Sequence, residues 1–454
     1  MARWLSGVRD KQRMITRVDK RLVLAFVRAV LALSVVPATQ QAQAPIADPD
    51  SPLVAALARS VAAGNSAAAD QFWRTVANRG TPLIDSLPGD TTRVLATFLF
   101  RGRSDTRDVV LVAGPNGIAP FEDPRSHMRH LGGTDVWYVS HRLARDAEFF
   151  YQISVNPPVT EGPPQPALLR QTMTADPLNP LRYPEATPAL ASAGFGSIAR
   201  MPAVPANPWL AVRPGVAAGV VRADSIASDI LHGVRRVWTY ASPGASLTDA
   251  RLLIMFDGAI YVNRIPTPTI LDNLYAEHRI GPTVAVFVDN GGAARATDYY
   301  LSDAFTGFLV RELLPWLQRR YALKLDRART VVGGSSLGGL TAVYSALRRP
   351  DVFGAALSQS GSFWVNGHGA DREPEWLARE LARTPRSNTF FYLDVGTNES
   401  TIALETTLLA SNRHLRDILQ LTDRRYSYVE VPGDHEPVHW RRTLPDALMA
   451  TLGR

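Results

Sequence analysis

Beyond about residue 216 the sequence alternates between short apolar runs and amphipathic helical segments, and this alternation restricts the fold more than any other feature. The predicted strands are nearly continuous in apolar residues and cover residues 234–240, 252–256, 283–288, 330–332, 354–358, 389–395 and 426–431. The predicted helices between them include residues 305–321, 340–348, 376–383 and 406–421. Strands that are apolar on both faces are typical of sheets covered by helices on both sides. Residues 216–454 are therefore predicted to form an α/β domain around a mostly parallel sheet.

The residues upstream follow a different pattern. Residues 52–79 have helical periodicity, and from Arg93 onward short strands separated by Gly, Pro and Asp turns indicate a β-sandwich. Residues 157–214 hold 13 of the 33 prolines and show little periodicity, which predicts an extended connector. We therefore expect a smaller β-sandwich-like domain over residues 45–156, a connector over 157–215 and the α/β domain over 216–454.

The charge of the chain is concentrated at its beginning. The whole sequence carries a formal net charge of +7, but residues 1–44 contain eight basic and two acidic residues and account for +6 of it. The remaining 410 residues are nearly neutral, so the sequence gives no support for a nucleic-acid partner. The chain has no cysteine, which excludes disulfides, Cys-ligated metal sites and thiol nucleophiles.

The first 44 residues have the pattern of a secretory leader. A basic head precedes an apolar run over residues 22–36, and small residues lead to Ala44, although Arg28 interrupts the run and Pro45 follows the expected cleavage point. This pattern predicts a periplasmic or secreted protein, with a basic extension on a cytoplasmic protein as the alternative. No other apolar run approaches the roughly 20 residues of a membrane helix, so we expect no stable membrane span.

The strongest chemical signal is the sequence Gly334-x-Ser336-x-Gly338 between a β-branched strand and a helical segment. A nucleophile elbow has this arrangement, because only small residues fit on either side of a serine held on so tight a turn. Ser336 is therefore the candidate nucleophile, and Ser335 is a poorer one because its neighbours lack the flanking glycine spacing.

A serine nucleophile needs a histidine base and an orienting acid, which follow it in the chain order of α/β-hydrolases. Of the histidines after Ser336, His435 follows a strong strand and a Pro-Gly-Asp turn, whereas His439 is expected to lie at the surface or on the substrate side. The acid is expected beyond the preceding strand, at Glu399, with Asp394 inside that strand as a rival. His368 and His414 lie in a Gly-rich loop and a helical pattern, respectively.

An oxyanion hole needs two backbone N–H donors near the nucleophile. One is expected at Leu337, directly after Ser336, and the other at Ala259, which follows an early strand and the close turn that Gly258 permits. His435 and His439 have the i, i+4 spacing of a metal pair, but Pro437 interrupts a regular helix and no third ligand stands nearby. We therefore expect neither a metal site nor a cofactor.

Several longer segments together resemble the esterase-D-type α/β-hydrolases, and in particular the enterochelin (enterobactin) esterases. In the α/β domain these segments are Gly334-Ser-Ser-Leu-Gly-Gly339, Ser358-Gln-Ser-Gly-Ser-Phe-Trp364 and Gly433-Asp-His-Glu-Pro-Val-His-Trp-Arg441. Upstream, the segments similar to that family's N-terminal domain are Phe72-Trp73, Gly133-Thr-Asp-Val-Trp137 and Ala175-Asp-Pro-Leu-Asn-Pro180. The resemblance covers about residues 50–450.

This resemblance implies a serine esterase that hydrolyses the trilactone esters of a catecholate siderophore, a small molecule that binds iron. The family's G-x-H-[DE]-x-x-x-W-R ending matches with His435 in the histidine position, and the Gly-Thr-Asn-Glu segment supports Glu399. It also implies substrate contacts from Gly258, Trp364, Trp440 and Arg441. An anionic ferric catecholate needs cationic partners, for which the candidates are Arg295, Arg441 and Arg442.

Two departures from the family pattern concern the substrate side. Pro437 replaces the usual aromatic residue, and residues 295–298 match the family's R-x-x-E-L segment loosely. The alternatives are a hydrolase of carbohydrate-linked feruloyl or acetyl esters and a non-catalytic module that binds siderophores or glycans.

Overall fold

The computed structural model describes residues 51–112, 121, 123–158, 166–183, 196–369, 371–400, 402–403 and 406–453. The predicted leader over residues 1–44 lies outside the described residues. No described helix has both the length and the apolar character needed to cross a bilayer.

The described part of the N-terminal domain contains two sheets and three helices. Its helices are α1 (Pro52–Ala62), α2 (Ala68–Arg79) and α3 (Pro166–Thr172), with a 3-10 turn at Pro124–Ser126. Its strands are β1 (Leu83–Leu87), β2 (Asp90–Arg101), β3 (Val109–Val112), β4 (Arg129–His130), β5 (Val136–Ala144), β6 (Glu148–Val155), β7 (Met173–Thr174), β8 (Arg182–Tyr183) and β9 (Gly196–Arg200). One sheet has the order β1-β2-β5-β4 and the other β3-β6-β9-β8, with β7 added to β6. Phe98 of the first sheet packs on Tyr151 of the second at 4.9 Å between ring centroids, so the predicted sandwich is confirmed.

The Pro-rich segment differs from the expected connector, because β7, β8 and β9 belong to the second sheet. Strand β9 pairs with β6, and its Ile198 and Ala199 are buried. Gly196 is required at its start, since a Cβ there would lie 2.1 Å from the Phe150 ring. Asp176, a buried residue between β7 and β8, links the Pro-rich segment to β6 by accepting a hydrogen bond from the Tyr151 hydroxyl at 2.7 Å. The strands were missed because they are two to five residues long and lie among prolines.

The α/β domain is built on one large sheet. Its strands are β10 (Val220–Ser228), β11 (Gly233–Ala241), β12 (Arg251–Phe256), β13 (Thr283–Val288), β14 (Thr330–Ser335), β15 (Ala355–Gln359), β16 (Phe390–Gly396) and β19 (Arg425–Val431), and a separate small ladder joins β17 (Ile402–Ala403) to β18 (Thr406–Thr407). The sheet order is β10-β11-β13-β12-β14-β15-β16-β19. Strands β10 and β11 run antiparallel at one edge, and the pairs from β13 to β19 are parallel. This architecture confirms the predicted α/β-hydrolase fold.

Helices cover both faces of this sheet. They are α4 (Gly258–Asn263), α5 (Thr267–Ala276), α6 (Arg295–Tyr299), α7 (Asp303–Phe308), α8 (Leu314–Tyr321), α9 (Leu337–Arg348), α10 (Trp376–Arg383), α11 (Leu408–Leu421) and α12 (Pro437–Leu452). A π-helical turn at Leu309–Leu313 joins α7 to α8, and 3-10 turns lie at Gly292–Ala294 and Arg327–Arg329. The helices bury the alternate side chains of the strands in two separate hydrophobic clusters, one on each face.

The sheet order brings the predicted site residues to one edge. Ser336 follows β14, Glu399 follows β16 and His435 follows β19, and these parallel strands are separated only by β15. Ala259 follows β12, which pairs with β14 on its other side. Parallel strands end at the same edge, where α/β proteins hold their ligands.

Candidate active site

Ser336 occupies a strained turn between β14 and α9. Its backbone has φ 58° and ψ −125°, which are uncommon for a residue with a side chain. The flanking glycines permit the turn: a Cβ on Gly334 would lie 2.8 Å from the carbonyl carbon of Gly338, and one on Gly339 would lie 2.5 Å from Ser358 Oγ. The predicted strand–turn–helix context of Ser336 is thus present, whereas Ser335 lies within the strand and is buried.

The three predicted side chains form a chain of hydrogen bonds. His435 Nε2 lies 2.9 Å from Ser336 Oγ, and His435 Nδ1 lies 2.7 Å from Glu399 Oε2. Because a carboxylate only accepts, Nδ1–H donates to Glu399 and Nε2 is left to accept from the serine hydroxyl. This is the arrangement of a nucleophile, its base and an orienting acid.

Glu399 is ionised although it is deeply buried. Burial alone would raise its pKa, but the hydrogen bond and electrostatic interaction with His435, together with the Ser360 hydroxyl, lower the pKa below its ordinary value. Its Oε1 accepts from Ser360 Oγ at 2.6 Å and from the Gly396 N–H at 2.8 Å. The Glu399 carboxyl group is therefore kept ionised, and its orientation is fixed by these two hydrogen bonds.

Ser360 and Trp440 form a layer behind the acid and the base. The Ser360 hydroxyl accepts from Trp440 Nε1 at 2.9 Å while it donates to Glu399, and the Trp440 ring lies edge-on to His435 at 5.3 Å between centroids. Trp440 is only 5% exposed, which does not fit its expected substrate contact and makes it a support for the histidine. Sequence reasoning missed Ser360, although the Ser358–Trp364 segment was part of the family resemblance.

His439 and Asp394 lie together beneath the triad. Both side chains are completely buried, so the expectation that His439 is a surface or substrate-side residue is wrong. His439 Nδ1 donates to the Asp434 carbonyl at 2.9 Å, which leaves Nε2 as an acceptor 3.6 Å from Asp394 Oδ1. Burial raises the pKa of Asp394 to about 8 and lowers that of His439, so both groups are held neutral at neutral pH. This pairing fits the expectation of Asp394 as a structural carboxyl group.

The two expected oxyanion donors lie in the first turns of neighbouring helices. Leu337 begins α9 and Ala259 is the second residue of α4, and N–H groups at such positions have no partner inside their helix. A Cβ on Gly338 would lie 3.2 Å from Asp257 Oδ2, which shows how closely the two turns approach each other. Gly258 itself is buried against β13, where a Cβ would lie 2.7 Å from the Phe287 carbonyl group, so it serves packing rather than substrate contact.

The remaining predicted residues lie around this centre. Arg295 forms a bidentate pair with Asp257, both N···O distances being 2.7 Å, so its charge is already compensated. Trp364 is half-buried against the start of α11. Arg441 lies over the Tyr183 ring of the N-terminal domain at 5.0 Å.

The other histidine candidates are engaged outside the triad. His414 Nδ1 lies 2.9 Å from Glu375, and His368 Nε2 lies 3.1 Å from the Leu301 carbonyl oxygen. Among the described ranges, no three His, Asp or Glu side chains converge as metal ligands.

Comparisons with known proteins cover both domains. The Esterase family matches residues 236–451, and the enterochelin esterase N-terminal family matches residues 95–210. An iron(III) enterobactin esterase from Dickeya dadantii is 33% identical over 434 residues, which cover 88% of this chain and 96% of that protein. An iron(III) salmochelin esterase from Escherichia coli is 25% identical over 87% of this chain and 96% of its own length.

A solved structure has the same fold. The enterobactin esterase from Shigella flexneri, determined in the presence of enterobactin, superposes with a TM-score of 0.67 at 23% identity, over 84% of this chain and 97% of that one. Fold and site together define an α/β-hydrolase of the serine esterase class. The identity and coverage of the relatives show that the chain belongs to the enterochelin esterase family.

Proposed function

We propose that this protein hydrolyses the ester bonds of a catecholate siderophore such as enterobactin, with Ser336, His435 and Glu399 as its catalytic residues. The observation that carries this proposal is the hydrogen-bond chain of 2.9 Å and 2.7 Å through these side chains, in a chain whose two domains both match the family. An intact triad favours an enzyme over a non-catalytic binding module.

The reaction follows from the positions of the protons. Ser336 Oγ attacks the ester carbonyl carbon while His435 Nε2 takes its proton, and the oxyanion accepts hydrogen bonds from the Ala259 and Leu337 amides. Nε2 then returns the proton to the departing alkoxide as the C–O bond breaks, which leaves an acyl group on Ser336. Water, activated by the same base, cleaves the acyl-enzyme into free serine and a carboxylic acid.

The choice of substrate is supported by the relatives. The proteins from Dickeya dadantii and Escherichia coli are named esterases of iron(III) enterobactin and iron(III) salmochelin. A carbohydrate-linked ester has less support, because a xylanase/feruloyl esterase from Xylanibacter ruminicola matches over 38% of this chain.

The test uses purified protein with enterobactin, its ferric complex and a small aryl ester, with products identified by mass. We expect the linearised siderophore to appear with a gain of one water, and Ser336→Ala to lose more than about 99% of this turnover because the nucleophile is removed. Ser335→Ala is the matched control and should keep its activity. Aryl-ester turnover without siderophore cleavage would contradict the proposed substrate, whereas an active Ser336→Ala variant would contradict the nucleophile.

We also propose that the chain is exported. The basic head and apolar run over residues 1–44 support a secretory leader, which would place the mature enzyme in the periplasm or outside the cell. The enzyme would then act on the siderophore before it enters the cytoplasm.

A further inference from the structure

The short loop between β19 and α12 carries His435 and lies against strand β6 of the N-terminal domain. The Phe150 N–H donates to Glu436 Oε1 at 3.1 Å, and the Glu148 N–H donates to the Pro432 carbonyl at 3.4 Å. These two bonds hold the β19–α12 loop on either side of His435. The N-terminal domain therefore contacts the segment that carries the proposed base.

Strand β6 offers both N–H groups on one edge. Strand β9 pairs along one side of the first half of β6, and β3 pairs along the other side of its second half. The Ala147 carbonyl points toward β9, where it accepts from the Met201 N–H at 3.0 Å, so the N–H groups of Glu148 and Phe150 point to the opposite edge. The β19–α12 loop lies on this edge next to the part that β3 covers, and it satisfies two backbone donors of the strand.

The Glu436 side chain joins β6 to helix α12. While its Oε1 accepts from the Phe150 N–H, its Oε2 accepts from the Val438 N–H at 3.1 Å, which is a free donor in the first turn of the helix. Burial raises the pKa of Glu436 to about 7, against the opposing effect of these two donors and of Arg441. Burying a carboxyl group lowers stability, so its presence here argues for a role that an apolar side chain could not perform. That role is to accept from both N–H groups at once.

An apolar contact links the same two elements. Val438, three residues after His435, is completely buried, and the other members of its hydrophobic cluster all come from the second sheet of the N-terminal domain: Phe150, Tyr183 and Ile198. One turn later, Arg442 Nη1 donates to the Asp146 carbonyl at 2.8 Å. The beginning of α12 thus packs on the N-terminal domain as well as on the sheet that bears the triad.

The α/β domain holds the residues that precede His435. The Asn398 N–H donates to the Gly433 carbonyl at 3.2 Å, and His439 Nδ1 donates to the Asp434 carbonyl at 2.9 Å. The residue that follows His435 is held through its carboxyl group by the other domain. Both domains therefore set the position of the imidazole ring.

We propose that the N-terminal domain positions the base of the triad, and that Glu436 is the positioning residue that transmits this effect from the Phe150 N–H to His435. This inference rests on the proposed catalytic role of His435. Its two hydrogen bonds, of 2.7 Å and 2.9 Å, weaken steeply when distance and angle change, and a displacement of about 1 Å can lower a rate by about a hundredfold. The N-terminal domain then affects the hydrolysis of every ester, including those too small to contact it.

The first test changes the carboxyl group in the full-length protein. Glu436→Ala removes both acceptors and should lower kcat for a small aryl ester by about a hundredfold, with KM within about twofold of the wild-type value. Glu436→Asp keeps a carboxylate that can cap α12, but its side chain is one methylene too short to reach the Phe150 N–H as well. It should lower kcat by about tenfold and broaden the low-field ¹H NMR signal of the His435 Nδ1–H.

A matched control is Asp326→Ala at the opposite edge of the sheet. Asp326 also caps a short turn by accepting from a backbone N–H, at 2.9 Å, but this turn precedes β14 and is remote from the β19–α12 loop. Its loss should leave kcat and the imidazole signal unchanged. An unchanged kcat in folded Glu436→Asp would overturn the link between the domains, and a raised KM with unchanged kcat would overturn the positioning role.

The second test changes the N-terminal domain alone. Ile198→Ala shortens a side chain that packs with Val438 and should lower kcat for the aryl ester by about tenfold, with a smaller loss in Ile198→Val. Ile153→Ala makes the same change in the core of the sandwich, away from α12, and should keep the wild-type kcat when assayed below its melting temperature. Equal losses of kcat in Ile198→Ala and Ile153→Ala would overturn the proposal.

The same variants separate this inference from the proposed function. An enzyme that cleaves the siderophore with unchanged kcat in Glu436→Ala refutes the positioning role alone. A protein that hydrolyses the aryl ester with the expected losses in Glu436→Ala and Ile198→Ala, but cleaves no siderophore, refutes the proposed substrate and supports the positioning role.

Discussion

Replacing Glu399 by glutamine should move the imidazole proton of His435 from Nδ1 to Nε2, because both carboxylate oxygens of Glu399 have fixed partners. Oε1 accepts from Ser360 Oγ and from the Gly396 N–H, at 2.6 Å and 2.8 Å, while Oε2 faces His435 Nδ1. In Glu399→Gln the two donors would keep the amide oxygen at the first position and turn the amide nitrogen toward Nδ1. His435 would then carry its proton on Nε2 and could not accept one from Ser336.

The size of the effect follows from what the base does. A carboxylate-to-amide change that fixes the wrong histidine tautomer lowers kcat by about 10⁴ in serine proteases. We expect a loss of about 10³–10⁴ for Glu399→Gln, equal to about 4–5.5 kcal/mol of transition-state stabilisation. His435→Ala should lose more, because it removes the base itself.

The assay is steady-state hydrolysis of a soluble aryl ester, with ¹⁵N NMR of the imidazole to identify the protonated nitrogen. Glu373→Gln makes the same chemical change at a side chain that is 78% exposed, and should retain full activity. If Glu399→Gln keeps more than about a tenth of the wild-type kcat, or if Nδ1 still carries the proton, the tautomer argument is refuted.

Two further predictions concern the buried acid and the leader. Because the pKa of Asp394 is raised to about 8, the native state holds a proton that the unfolded chain releases above about pH 4, so this group makes stability fall as pH rises from about 4 to 8. Asp394→Asn, which does not titrate, should therefore show a smaller fall in stability between about pH 5 and pH 8 than wild type in denaturant titrations. A fall equal to that of wild type would contradict the neutral Asp394. Residues 1–50 fused to a reporter active only outside the cytoplasm should export it, and a silent reporter with full-length fusion in the cytosol would contradict the leader.

The fold and the triad could be predicted because they depend on local sequence and chain order. Gly334 and Gly338 indicate a tight turn that exposes a serine between a strand and a helix, and parallel strands bring the segments after them to one edge. Glu399 and His435 then follow from their positions after β16 and β19. None of these inferences requires knowledge of side-chain packing.

The sequence-based predictions that were wrong concern side chains whose roles depend on contacts between distant residues. Trp440 looks like a binding residue in the sequence, but its indole N–H is required by Ser360, 80 positions away. His439 is polar and close to the base, yet the start of α12 turns it inward onto Asp394. Sequence spacing alone cannot distinguish a polar side chain that faces substrate from one that completes a buried network.

The two buried carboxyl groups near the triad show what decides their charge. Asp394 and Glu399 are similarly inaccessible to water, so burial cannot explain why the first is neutral and the second ionised. The difference lies in the donors. Glu399 receives hydrogen bonds from His435, Ser360 and the Gly396 N–H. Among the described residues Asp394 Oδ1 has no hydrogen-bond partner, and the interactions of the Asp394 carboxyl group with Thr443 and with Gln359, the latter at 3.3 Å, do not offset its burial. A carboxylate is stabilised in a protein interior only when donors replace its lost water. The donors of Glu399 lie at the carboxyl edge of the sheet, on the segments that follow β15 and β19 and on the last residue of β16, so an acid beyond the end of β16 can reach all three of them.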